Sequence, residues 1–76
     1  MKNQRYEFFQ KALADARQQK GLTQAEIAAR LRKPQSYVSK YESGERRIDI
    51  IEFLDVCEAL GINPITFLRK ILAHHE

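Results

Sequence analysis

Three glycines, two prolines and a single cysteine are all this 76-residue chain has of the residues that punctuate or cross-link a backbone. One cysteine cannot close a disulfide within the chain, so the fold must stand on its packing. No stretch approaches the ~20 consecutive apolar residues of a membrane span or the apolar core of a signal peptide, which argues against a membrane protein and for the cytoplasm. No segment alternates apolar and polar side chains with a period of two, so nothing reads as a strand. There is no internal repeat and no low-complexity run.

What is present suits one small folded domain spanning 1–76. The chain is 43% hydrophobic and 30% charged, too apolar in its periodic segments to be disordered. A domain of this size removes only about 60% of its unfolded surface from water, so association with a partner would help it. The net charge of +3 is modest, but it is unevenly spread. Residues 30–47 hold six basic side chains against two acidic ones, a local +4. Residues 48–60 hold Asp49, Glu52, Asp55 and Glu58 and nothing basic, a local −4. Such polarity favours an oriented approach to a polyanion; a mixed solvated surface is the alternative.

The scarce glycines fall where apolar helical patterns stop, at Gly21, Gly44 and Gly61, and read as C-terminal caps. Helix starts are marked too. Thr23 with Glu26, and Asp49 with Glu52, are capping boxes; Leu22 with Ile27, and Ile48 with Phe53, are the matching hydrophobic staples. Asn63 before Pro64 is an N-cap with proline at the first helical position, and Pro34 is placed the same way behind Lys33, a poor cap. Five helices are predicted, at 4–20, 24–31, 34–43, 50–60 and 64–74, joined by connections too short for a second domain.

The apolar faces agree. The first helix offers Tyr6, Phe9, Leu13 and Ala16, with Phe8 off that face; the second offers Ala25, Ile27, Ala28 and Leu31. The fourth carries an arc from Ile50 and Ile51 through Phe53, Leu54, Val56 and Cys57 to Leu60, wider than one contact needs, and is expected at the centre. On the third, Pro34, Val38 and Tyr41 point at the core. That leaves Ser36, Ser39, Lys40 and Ser43 outward, Gln35 at the first turn and Tyr37 on the flank. An amide, hydroxyls and an ammonium are groups able to read base edges in a major groove, although a lone polar face is also what any solvated helix shows. Glu42 lies at the edge of the core face and so needs a partner.

Other reactive residues carry little. Cys57 sits in an apolar arc and reads as a buried, unreactive thiol. His74 and His75 are adjacent and cannot form a two-residue metal clamp on a helix. The four carboxylates of the fourth helix advance by three and spread around it. There is no nucleophile beside a base, no phosphate loop and no cofactor motif, so neither an enzyme nor a metal or cofactor site is expected.

A short capped helix, a tight turn and a second short helix form the helix-turn-helix arrangement. The run LTQAEIAARLRKPQSYVSKYESGERRIDIIEFLDVCEALGINP, Leu22 to Pro64, resembles the Cro and phage-repressor type of helix-turn-helix domain, the XRE family of bacterial and phage regulators. The resemblance rests on LTQxEIA opening the second helix, SYVSKYESG closing the third and ALGINP leaving the fourth. It implies an all-α, five-helix Cro/phage-repressor-like domain with its helix-turn-helix core at 23–43. By the same resemblance Gln35, Ser36, Ser39 and Lys40 are expected to contact bases. Thr23, Gln24, Arg32, Lys33, Tyr37, Ser43, Arg46 and Arg47 are expected to contact phosphates. Arg17 and Glu42 match an ion pair between the first and third helices of some relatives. The turn often holds glycine in this family; here Arg32 takes its place.

The function so implied is a DNA-binding transcriptional regulator, acting as a repressor on a two-fold operator of double-stranded DNA. A homodimer is expected, with Phe67, Leu68, Ile71 and Leu72 of the fifth helix at its interface. RNA polymerase or a toxin are further partners the resemblance admits. The alternative is an antitoxin-like protein-interaction module of the same fold.

Overall fold

A computed structural model describes residues 3–74 as five α-helices. They are α1 (Gln4–Gln19), α2 (Gln24–Leu31), α3 (Gln35–Ser43), α4 (Ile50–Leu60) and α5 (Pro64–Ala73). The starts of α2 and α4 are held by reciprocal capping boxes. Thr23 Oγ1 accepts from Glu26 N at 3.1 Å while Glu26 Oε1 accepts from Thr23 N at 2.8 Å; Asp49 and Glu52 repeat this at 2.8 and 2.9 Å. Asn63 Oδ1 accepts from Ile65 N and Thr66 N, with Pro64 in the first turn, where a missing N–H costs nothing.

The ends of α2 and α4 use one motif. After α4, Ile62 N donates to Cys57 O at 3.0 Å and Gly61 N to Glu58 O at 3.2 Å around a left-handed Gly61, φ 72°. After α2, Lys33 N donates to Ala28 O at 2.9 Å and Arg32 N to Ala29 O at 3.1 Å around a left-handed Arg32, φ 57°. Arg32 is the one non-glycine among the described residues with positive φ. α3 stops at Gly44, φ 85°, where an added Cβ would lie 2.7 Å from Gln10 Oε1.

Several expectations need correction. Pro34 is the N-cap of α3, not its first helical residue, and it is solvent-exposed; its extended backbone, ψ 156°, takes it out of the helical register that would have placed it on the core face. Ala25 is exposed because Ile27, Ala28 and Leu31 already cover the inner face of a two-turn helix. α1 ends at Gln19 and α5 at Ala73, where His74 swings to ψ 123°.

The core gathers Leu13 of α1, Ile27 and Ala28 of α2, Val38 and Tyr41 of α3, Phe53, Val56, Cys57 and Leu60 of α4, and Phe67 and Ile71 of α5. Phe9, Phe53 and Phe67 form a ring cluster with centroids 5.5 to 5.9 Å apart. Burial raises the Cys57 thiol to about 11, leaving it protonated. Phe67 and Ile71, expected at an interface, lie instead in the core of the chain itself, because α5 closes over the Phe9 and Phe53 rings. His74 stacks on Phe8 at 4.0 Å, its plane tilted by 8°; His75 lies outside the described residues. No described helix is long and apolar enough to cross a membrane.

Candidate nucleic-acid interface

With Val38 and Tyr41 fully inward, α3 turns Gln35, Ser36, Ser39 and Lys40 to solvent on one side. None of these four makes a side-chain hydrogen bond or ion pair within the described chain, so their donors and acceptors are available. Ser43 differs: its hydroxyl donates to Lys40 O at 3.1 Å and accepts from Glu45 N at 3.3 Å, which fastens the end of α3. Exposed Arg32 and Lys33 sit in the turn at one end of this face, and Arg47 beyond the other.

Three side chains on the flank are tied together. Tyr37 packs edge-on against Tyr41 at 5.7 Å and lies beneath two cations, Lys33 Nζ at 5.4 Å and Arg46 Cζ at 4.7 Å from its ring centre. Burial and then the nearby Glu52 carboxylate raise its hydroxyl pKa. Arg46 donates to Glu52 Oε2 at 2.7 Å and to Arg47 O at 3.2 Å. That bond, with the Asp49 N–H, lowers the Glu52 pKa to about 2. Arg46 is therefore a clasp between the loop and α4 as well as a cation. Arg47 lies over the Tyr6 ring at 4.1 Å, and the Tyr6 hydroxyl is a buried side-chain polar atom without a hydrogen-bond partner.

A second network lies at the start of α2. Arg17 donates through Nε to Glu42 Oε2 at 2.8 Å and through Nη2 to Oε1 at 3.1 Å, a bidentate pair with side chains 12% and 7% exposed. The carboxylate raises the arginine's already high pKa. Arg17 Nη1 reaches Leu22 O at 2.8 Å, and Gln24 Nε2 donates to Glu42 Oε1 at 3.0 Å. Thr23, the cap, stays exposed.

Sequence reasoning did not find Glu52 as the partner of Arg46 or Tyr6 as the seat of Arg47. The only available signal was dual use: Glu52 has a second oxygen beyond its capping role, and a tyrosine at the edge of an apolar face has a ring to offer.

The Helix-turn-helix family model matches residues 13–67, which takes in all of α2, α3 and α4 and the turns between them. The chain belongs to the XRE type of helix-turn-helix transcriptional regulators. An XRE-family-like protein from Pseudomonas syringae pv. tomato DC3000 superposes with a TM-score of 0.90 at 49% identity, over 93% of this chain and 87% of that one. An uncharacterised HTH-type transcriptional regulator of Sinorhizobium fredii, y4dJ, is 38% identical over 52 residues, 68% of each chain. A restriction-modification controller protein, C.Esp1396I, solved as a tetramer with its natural 35-base-pair operator, shares the fold at 18% identity. Its TM-score is 0.84, with 93% of each chain covered. In the XRE frame, Arg32 holds the left-handed position of the turn and α3 is the second helix of the motif.

Proposed function

We propose that this regulator binds double-stranded operator DNA sequence-specifically, with the unit 23–43 as its reading element and α3 in the major groove. The observation that carries this is the division of α3: Val38 and Tyr41 are sealed in the core, while Gln35, Ser36, Ser39 and Lys40 stand outward with free hydrogen-bonding groups. These four are assigned to base edges. Thr23, Gln24, Arg32, Lys33, Tyr37, Ser43, Arg46 and Arg47 are assigned to the backbone, contacts that fix register without reading sequence. The amino end of α2, with its free N–H groups and partial positive charge, points the same way in this reading.

A homodimer on a two-fold site follows from reach. One short helix spans few base pairs, and two copies about one helical turn apart, ~34 Å, would double the contacts. The surface for this is α4 and α5, where Ile50, Ile51, Leu54, Ile65 and Leu72 are exposed. Leu68, partly buried, and Leu72 remain from the expected interface. Occupying such an operator would exclude polymerase, hence repression. The operator-bound tetramer of the controller protein supports assembly on DNA in a relative of this fold.

Selection of bound sequences from a random DNA pool tests the reading, with sedimentation of the protein alone and with the recovered site. The expected result is a two-fold symmetric sequence bound by two copies. Recovery of no symmetric site, together with a stoichiometric protein partner from cells, would instead favour the antitoxin-like role.

A further inference from the structure

We infer that Glu42 is a positioning residue for DNA binding: through Gln24 it aims a side-chain N–H at the phosphate facing the start of α2. This rests on the assignment of Gln24 to a phosphate in the proposed function.

Gln24 is the first residue of α2, only partly buried, and on its own its three side-chain torsions would wander. In the structure one N–H of its carboxamide donates to Glu42 Oε1 at 3.0 Å. A carboxylate offers only acceptors, so the NH2 group must face Glu42 and the planar amide fixes where its second N–H points. Glu42 is itself held. Arg17 grips both of its oxygens at 2.8 and 3.1 Å, and the third arm of that guanidinium is spent on Leu22 O at 2.8 Å. The result is one chain of bonds from the end of α1, through the end of α3, to the start of α2. A donor ordered during folding need not be ordered again on binding, which is the advantage of preorganisation.

Charge alone predicts the opposite sign. A carboxylate near a phosphate site repels DNA, so if Glu42 acted only through its charge, removing it would tighten binding. Arg17 neutralises that charge locally, which leaves positioning as the effect that remains.

The test is a double-mutant cycle on operator affinity, read at several salt concentrations. Gln24→Ala is compared in the wild-type protein and in an Arg17→Met/Glu42→Leu background, where apolar side chains of similar size replace the buried pair without leaving a lone charge. Gln24→Ala in the wild type should weaken binding about tenfold, the value of one hydrogen bond to a charged group. The Met/Leu protein should be weakened to a similar degree, and adding Gln24→Ala to it should change nothing further. The salt slope should stay constant throughout, because no phosphate-neutralising cation has been removed. Glu42→Leu alone, with its fold checked by circular dichroism, supplies a second variant should the Met/Leu protein not fold; an aliphatic side chain accepts no bond from Gln24, so it should also weaken binding. Additive losses, or wild-type affinity in the Met/Leu and Glu42→Leu proteins, would overturn the proposal while leaving operator binding intact. Wild-type affinity of Gln24→Ala itself would remove the phosphate assignment beneath it.

Discussion

The chain contains two helix-turn-helix units built on one plan, α2 to α3 and α4 to α5, and they differ where it matters for function. Each opens with a capping box, ends its first helix in the same six-residue hydrogen-bonded turn and starts its second helix beside a proline. LRKPQ at 31–35 aligns with LGINP at 60–64. In the second unit every choice favours stability: Gly61 at the left-handed position, Ile62 packed on the core, Asn63 capping α5. In the first, Arg32 takes the glycine position, exposed Lys33 replaces the isoleucine and Pro34 caps nothing. The first unit therefore gives up local stability for two cations at its turn, and the other unit supplies the anchoring.

The first unit is compensated by a polar tie that the second does not use. Replacing Glu42 by alanine strands Arg17 as an uncompensated, mostly buried charge and should lower unfolding free energy by about 3 kcal/mol in a urea titration. Loss of less than a third of that would mean the pair contributes little. Next in size, Gly61→Ala forces a Cβ into the conformation that Arg32 already adopts. Nothing lies within 3.5 Å of it, since the nearest atom, Lys20 Nζ, would be 3.9 Å away, so the effect is backbone strain alone. A loss of roughly 1 to 2 kcal/mol is expected, visible as a lower Tm with operator affinity unchanged.

The mirror change, Arg32→Gly, should raise stability by about 1 kcal/mol and weaken DNA binding, with the salt slope smaller by roughly one ion. Unchanged affinity across a salt titration would strip Arg32 of its phosphate role.

The smallest effect separates the two capping boxes. Both carboxyls have lowered pKa values, Glu26 chiefly through its capping bond to Thr23 N–H and Glu52 chiefly through its bond to Arg46 and then its capping bond to Asp49 N–H, which brings it to about 2. A carboxyl depressed in the folded state stabilises the protein above its unfolded pKa, and that stability drains away as pH falls from about 4.5 to about 2. Glu52→Gln should flatten the acid limb of the stability curve over that window more than Glu26→Gln does.

Helix number and most boundaries were legible in the sequence because caps are local chemistry, written within four residues of each end. Faces were partly legible. Periodicity identified the apolar arc of α4, but which part of it is covered depends on where α2 and α5 lie, so Ile50, Ile51 and Leu54 ended up outside and Phe67 and Ile71 inside. The polar network was the least legible. Gln24 and Glu42 are 18 residues apart, and only the packed fold brings a long amide and a carboxylate within hydrogen-bonding distance. Arg46 is 6 residues from Glu52, but its link closes across a loop whose path no periodicity describes.

The disposition of the aromatic hydroxyls also gives the molecule its own reporters. With no tryptophan in the chain, tyrosine dominates its near-ultraviolet light absorption, and the three tyrosines stand in three different places. Tyr41 is sealed in the core, Tyr6 lies beneath Arg47, and Tyr37 is clasped by Lys33 and Arg46 on the flank of α3. Tyrosine fluorescence can thus follow melting without a dye, and docking on the proposed operator is expected to perturb the tyrosine beside α3, Tyr37.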